Sequence, residues 1–170
     1  AFCAGRNYAE HVLTRPFASE RAARRVLALP PEAGVDVAGL PRLTLTTADS
    51  VTTRPDREVK WLDDMPETDS LPLTVGLAHT DPNQHTNSMV YVRWFEEAAL
   101  RRLSRHGLGR PLLARAVHVA FRKPSFAGQQ LTITLRTFEQ GGHLGAVGTF
   151  AHLGEDRPSV KLALLFDGGR

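Results

Sequence analysis

Cysteine occurs once in the 170 residues, at Cys3, so no intrachain disulfide, zinc ribbon or redox pair can be built, and a reducing cytoplasm is the expected setting. Lysine is nearly as scarce. Lys60, Lys123 and Lys161 are the whole set, and the other cations are arginines, scattered or in pairs such as Arg24-Arg25 and Arg101-Arg102. A net charge of +3 spread in this way lacks the basic stripe interleaved with aromatics that a nucleic-acid surface needs, so nucleic acid is not an expected partner. No apolar run approaches the roughly 20 residues of a bilayer span, and no charged-then-apolar leader opens the chain, so no membrane partner is expected either. The chain starts Ala1-Phe2-Cys3 without a methionine, which points to processing, truncation or residues upstream of Ala1. What is present is ordinary for a folded protein: 42% hydrophobic and 23% charged residues, in a length that suits one domain or one domain plus part of another.

The acidic, proline-containing stretch Pro66-Glu67-Thr68-Asp69-Ser70 divides the chain into residues 1–70 and 71–170. In the first part, Tyr8 to Thr14 and Ser19 to Leu29 read as helices, interrupted by Pro16 and stopped by Pro30-Pro31, with Ser19 as N-cap. Leu43 to Thr46 alternates as a strand should, and Glu58 to Leu62 reads as another. This part holds His11, Asp36 and Asp49 but no catalytic constellation. In the second part the pattern predicts one strand over Leu71 to His79 and one long helix opening at Asn87 or Ser88 and closing at Gly107. Tyr91, Trp94, Phe95, Ala98 and Leu103 share one apolar face of that helix. Four strands follow. Val117, Val119 and Phe121 alternate toward the core with His118 facing away, as do Leu131, Ile133 and Leu135, and Leu144 to Leu153 and Ser159 to Phe166 supply the last two. Ala127-Gly128 and Gln140-Gly141-Gly142 are the turns. One helix on a curved, mostly antiparallel sheet is an α+β architecture.

Between the predicted first strand and the helix runs Asp81-Pro82-Asn83-Gln84-His85-Thr86-Asn87-Ser88. It sets a carboxylate, an amide and an imidazole beside a helix N-terminus, whose unpaired N–H groups and partial positive charge can hold a polarised carbonyl oxygen. A plain turn at Asp81-Pro82-Asn83 and a helix cap at Asn87 account for the same residue types. His79, Asp81 and His85 are metal-binding types, but no His-x-x-x-His helix or cysteine pair accompanies them, so neither a metal nor a cofactor is expected.

The loop, with Tyr91 and Phe95-Glu96-Glu97 after it, is similar to the Asp-x-Asn-Gln-His-x-Asn loop and helix of acyl-ACP thioesterases. Ala120-Phe121-Arg122-Lys123-Pro124-Ser125 stands where the plant-type enzymes carry an acidic residue followed by cysteine, positions that here are Pro124 and Ser125. Over roughly Leu71 to Phe166 the chain resembles hotdog-fold acyl thioesterases, the superfamily of the acyl-ACP and hydroxybenzoyl-CoA enzymes.

The resemblance implies a hotdog domain at 71–170 behind an extension at 1–70, the extension being a remnant or junction of a preceding hotdog unit. It implies a thioester hydrolase acting on an acyl-CoA or acyl carrier protein of fatty acid or polyketide metabolism, whose phosphates or acidic surface an arginine-biased protein would suit. Asp81 would orient or deprotonate water, or attack directly. Asn83 would hold Asp81 or the water through its amide, and His85 would bond the substrate or share the proton. The oxyanion would meet N–H groups near Thr86 to Met89, with Thr86, Asn87, Ser88 and Tyr91 against the substrate, although Asn87 also suits a cap and Tyr91 the core. Glu96 or Glu97 could replace the acid missing at Pro124, and Ser125 could be a nucleophile given a neighbouring base. A dehydratase pairing His85 with Glu96, or a non-catalytic acyl-binding module, are the rival readings. A homodimer, or a pseudo-dimer of hotdog units, would cover the sheet edge.

Overall fold

The computed structural model describes residues 13–14, 25–26, 59–109 and 112–168, and the chain separates into two units, Ala1–Leu43 and Thr44–Arg170. In the first unit, β1 (Leu13–Thr14) pairs antiparallel with β2 (Arg25–Val26). The backbone is extended at positions expected to lie in the helices Tyr8 to Thr14 and Ser19 to Leu29. Thr14 and Val26 are β-branched, which favours extended chain. The rest of those spans, Leu43 to Thr46, and His11, Asp36 and Asp49 lie outside the described residues.

The second unit holds β3 (Lys60–Trp61), β4 (Glu67–Thr68), β5 (Leu73–Thr74), a 3-10 turn at Leu77–His79, the helix α1 (Ser88–Arg105), β6 (Leu112–Phe121), β7 (Gln130–Gln140), β8 (His143–His152) and β9 (Val160–Gly168). The sheet order is β3-β7-β8-β9-β6, every pairing antiparallel, and β3, β4 and β5 succeed one another along the outer edge of β7. The expected strand Leu71 to His79 is therefore mostly not one. Only Leu73–Thr74 joins the ladder before the chain turns at Gly76, whose N–H donates to His79 Nδ1 at 2.9 Å instead of to a neighbouring strand.

α1 forms where local signals place it. The Asn87 side chain accepts from Met89 N–H, and at the other end Leu108 N–H bonds Leu103 O while Gly107 N–H bonds Ser104 O, a Schellman closure that needs the left-handed Gly107 (φ 73°). Tyr91, Phe95, Ala98, Ala99 and Leu103 are buried on its inner face against Leu131, Ile133, Leu135 and Phe150 of the sheet. The helix wrapped by the sheet is the α+β hotdog arrangement that the sequence resemblance implies. Gly141 and Gly142, both left-handed, close the two-residue β7–β8 hairpin, a conformation open to few other residues.

Gly148 leaves no room for a side chain: a Cβ there would stand 2.3 Å from Thr134 O of neighbouring β7 and 2.8 Å from the Phe95 ring of α1. Gly148→Ala should therefore cost about 2–3 kcal/mol by overpacking, read as a lowered midpoint in urea; an unchanged midpoint would mean that both the β7 backbone and the Phe95 ring give way freely.

β6 departs from the expected pattern. Val117 and Phe121 remain 40% and 53% exposed, and Val119 is only half-buried, because β6 is the last strand of the sheet whereas α1 packs on β7 and β9. His118 is exposed, as alternation predicts.

Candidate active site

The Asp81–His85 loop is folded by its own first residue. Asp81 Oδ1 accepts the N–H groups of Asn83 (2.9 Å) and His85 (3.1 Å), while backbone bonds join Asp81 N–H to His85 O and Gln84 N–H to Asp81 O, each at 2.8 Å. An aspartate offers this turn because its short carboxylate reaches the N–H two residues on. The loop is then fastened on two sides. Thr86 gives both its N–H (2.8 Å) and its hydroxyl (2.9 Å) to Ser125 O, and Asn87 N–H bonds His79 O at 2.9 Å. The His85 ring packs edge-on to Phe126, centroids 5.2 Å apart.

These contacts border a cavity of about 480 Å³ at the start of α1, lined by Asp81, His85, Thr86, Asn87, Ser88 and Tyr91 on the loop and helix and by Phe121, Arg122, Lys123 and Pro124 at the end of β6. Tyr91 is 2% exposed and stacks edge-on with Phe121 and Phe150, so it is both core and cavity wall. Three groups in the cavity lining have no partner among the described residues. They are Asp81 Oδ2, the imidazole nitrogens of His85, and the Ser88 N–H at the first helical position. A carboxylate oxygen, an imidazole and a helix-start N–H are a base, a proton carrier and an oxyanion donor.

The expected residues do not all meet at the cavity. The Asn83 side chain does not hold Asp81; its backbone N–H does, and Asn83 is exposed and outside the cavity lining. Of the N–H groups near the helix start, those of Thr86, Asn87 and Met89 are engaged by Ser125 O, His79 O and the Asn87 side chain, leaving Ser88. Asn87 is a cap, with its oxygen taken. Glu96 and Glu97 lie outside the lining, and Glu97 pairs with Arg101 at 3.8 Å. Ser125 is fully buried and also outside the lining, yet a base does stand beside it, His152, 27 residues away on β8. Arg122 and Lys123 were not expected in the wall, although their place in the strand-end motif was the available signal.

Residues 83–159 match the family model of the thioesterase superfamily. No curated protein matches the sequence. Among solved structures, the chain is similar to the 1,4-dihydroxy-2-naphthoyl-CoA thioesterase of Synechocystis, with 16% identity and a TM-score of 0.53 over 59% of this chain and 80% of that one. A thioesterase of Thermus thermophilus complexed with coenzyme A and Zn is 22% identical, TM-score 0.50, over 59% of this chain and 80% of its own. The PaaI protein from the phenylacetic acid degradation operon of E. coli is 16% identical, TM-score 0.53, over 65% and 82%. With the helix wrapped by its sheet, the described part of the second unit has the hotdog fold, and its segment from Asn83 in the loop to Ser159 before β9 is similar to the thioesterase superfamily.

Proposed function

We propose that the chain hydrolyses an acyl-CoA thioester in the cavity at the start of α1, with Asp81 and His85 as its catalytic residues. The observation that carries this is the gathering of Asp81 Oδ2, the His85 imidazole and the Ser88 N–H around one 480 Å³ space. Asp81 takes a proton from water, which attacks the thioester carbonyl; the carbonyl oxygen, now negative, is met by Ser88 N–H and the positive end of the helix dipole. On collapse the C–S bond breaks, His85 gives a proton to the leaving thiolate and is reprotonated by Asp81 through solvent, and the carboxylic acid product loses its own proton to bulk water on release. Coenzyme A as carrier is supported by the coenzyme-bound structure the chain resembles and by Arg122 and Lys123 in the cavity wall, which suit phosphates. Glu96 lies outside the cavity that His85 lines, so one chain does not assemble the His and helix-acid pair of a dehydratase.

Thiol release from a panel of short, long and aromatic acyl-CoA and acyl carrier protein substrates, followed with a chromogenic disulfide, tests the reading. Release from acyl-CoA supports it. Release from acyl carrier protein alone replaces the carrier, and acyl binding without release replaces hydrolysis by a binding role.

The same reading includes a homodimer. β6 ends the sheet, its outer edge has no strand partner among the described residues, and it carries exposed apolar side chains on both faces, Leu113 (79% exposed) on one and Val117 and Phe121 on the other. Such an edge is a template for pairing. Leu113→Lys with Val117→Lys should convert a dimer into monomer in analytical ultracentrifugation; a wild-type protein that sediments as a monomer at micromolar concentration would overturn this part.

A further inference from the structure

Next to the cavity, a line of polar groups runs through the protein without being part of the reaction described above. Ser125, with no exposed surface, has its Oγ 3.0 Å from Nε2 of His152, itself only 6% exposed. His152 Nδ1 stands 3.5 Å from Glu155 Oε2, an ion-pair distance at which no hydrogen bond is formed, and it has no other partner among the described residues. Glu155 in turn takes two hydrogen bonds from Lys123 Nζ, at 2.7 and 2.9 Å. A carboxylate facing Nδ1 favours the tautomer with its proton there, in which Nε2 accepts from the Ser125 hydroxyl.

Acid, imidazole and hydroxyl in this order would activate a serine, but a nucleophile must be reached by an acyl carbon. Ser125 has no exposed surface and does not line the cavity. What it does touch is the reactive loop, since its carbonyl takes both hydrogen bonds of Thr86, the residue between His85 and the cap Asn87, while the next residue, Phe126, is bridged to His85. The Ser125–Phe126 segment belongs to the connection between β6 and β7, and the side-chain bond to His152 ties it to the end of β8.

We propose that Glu155, His152 and Ser125 are positioning residues, which fix the Ser125–Phe126 segment and through it the places of His85 and the Ser88 N–H in the cavity. This rests on the Asp81–His85 reading of the site. Displacing a catalytic group by about 1 Å costs up to roughly 100-fold in rate, so a fastening of this kind acts on turnover more than on binding.

The test measures kcat and KM on the best acyl-CoA for Ser125→Ala, His152→Leu, His152→Gln and Glu155→Ala, together with amide hydrogen exchange at Thr86, with Asp81→Asn alongside. Glu155 is 43% exposed at its side chain, so its variant folds even where the buried ones do not. Ser125→Ala and His152→Leu should lower kcat roughly tenfold or more with KM within about twofold, Glu155→Ala by about threefold, and His152→Gln, which can still accept from Ser125, should recover most of the loss. Thr86 exchange should quicken about tenfold in the impaired variants while the β7–β9 amides keep their protection. Unchanged kcat and unchanged Thr86 exchange in Glu155→Ala and Ser125→Ala would overturn the proposal. So would loss of protection throughout the sheet, which means a plain packing role, or an acyl adduct on Ser125 by mass spectrometry, which makes it the nucleophile. If Asp81→Asn keeps full turnover, the reading of the site fails, and the Thr86 exchange still decides whether the relay holds the loop.

Discussion

Asp81→Asn is expected to lower kcat by roughly a thousandfold, within the range for removing a positioned general base, while the folded structure survives. Asparagine is isosteric, and its Oδ1 can still accept the Asn83 and His85 N–H groups that shape the loop. The change thus removes the negative charge and basicity of the free oxygen and leaves the turn. That separation makes Asp81→Asn the sharper variant, because Asp81→Ala would also unfasten the loop and confound chemistry with geometry. Matching circular dichroism and an unchanged melting temperature, with thiol release gone, is the expected pair of results. Turnover within about threefold of wild type would remove Asp81 from the mechanism.

The second large effect is expected far from the chemistry, at Asp63. Its side chain, 1% exposed, accepts from Thr137 N–H (2.6 Å), Thr137 Oγ1 (2.7 Å), Arg102 Nε (2.7 Å) and His106 Nε2 (2.7 Å). Arg102 also holds Glu67, and Arg136, stacked over Trp61 at 4.0 Å, donates to Asp63 O. One carboxylate thereby ties the segment before β4 to the C-terminal end of α1 and to β7. Burial pushes the Asp63 pKa up, but the hydrogen bonds from Thr137, His106 and Arg102 outweigh it and bring it down to about 2 from 3.8.

A carboxyl whose pKa is depressed in the folded state stabilises fully above its unfolded value and loses that contribution as pH falls through the folded one. Asp63→Asn should accordingly cost about 3 kcal/mol near neutral pH, as expected when one member of a buried ion pair is removed. In urea unfolding, the gap between wild type and variant should narrow as pH falls from about 4 toward about 2, since the wild type is losing what the variant never had. A gap that stays constant over this range would mean that shape, and not charge, is what Asp63 contributes.

The parts of this protein legible in the sequence are those closed by neighbours along the chain. Asn87 capping Met89, the glycine at 107, the Gly141-Gly142 hairpin and the 3.6-residue apolar rhythm from Tyr91 to Leu103 each involve residues a few positions apart, so type and spacing suffice to read them. The Asp81–His85 loop belongs to the same class, since its aspartate bonds residues two and four positions on. What only the tertiary structure decided depends on partners that spacing does not bring together. Which helix-start N–H remains open was settled by Ser125 O, 39 residues beyond Thr86, and the base beside Ser125 is supplied by the far end of β8. Val117 and Phe121 alternate as core residues do, but whether alternation means burial depends on strand order, and β6 came last, at the edge of the sheet, where Phe121 still meets Tyr91 of α1 yet stays half exposed. Asp63 in its loop looks like any surface acid until the end of α1 and β7 close around it. Local hydrogen bonds and periodicity are written in sequence order; the choice among distant partners is made by how the sheet folds over the helix.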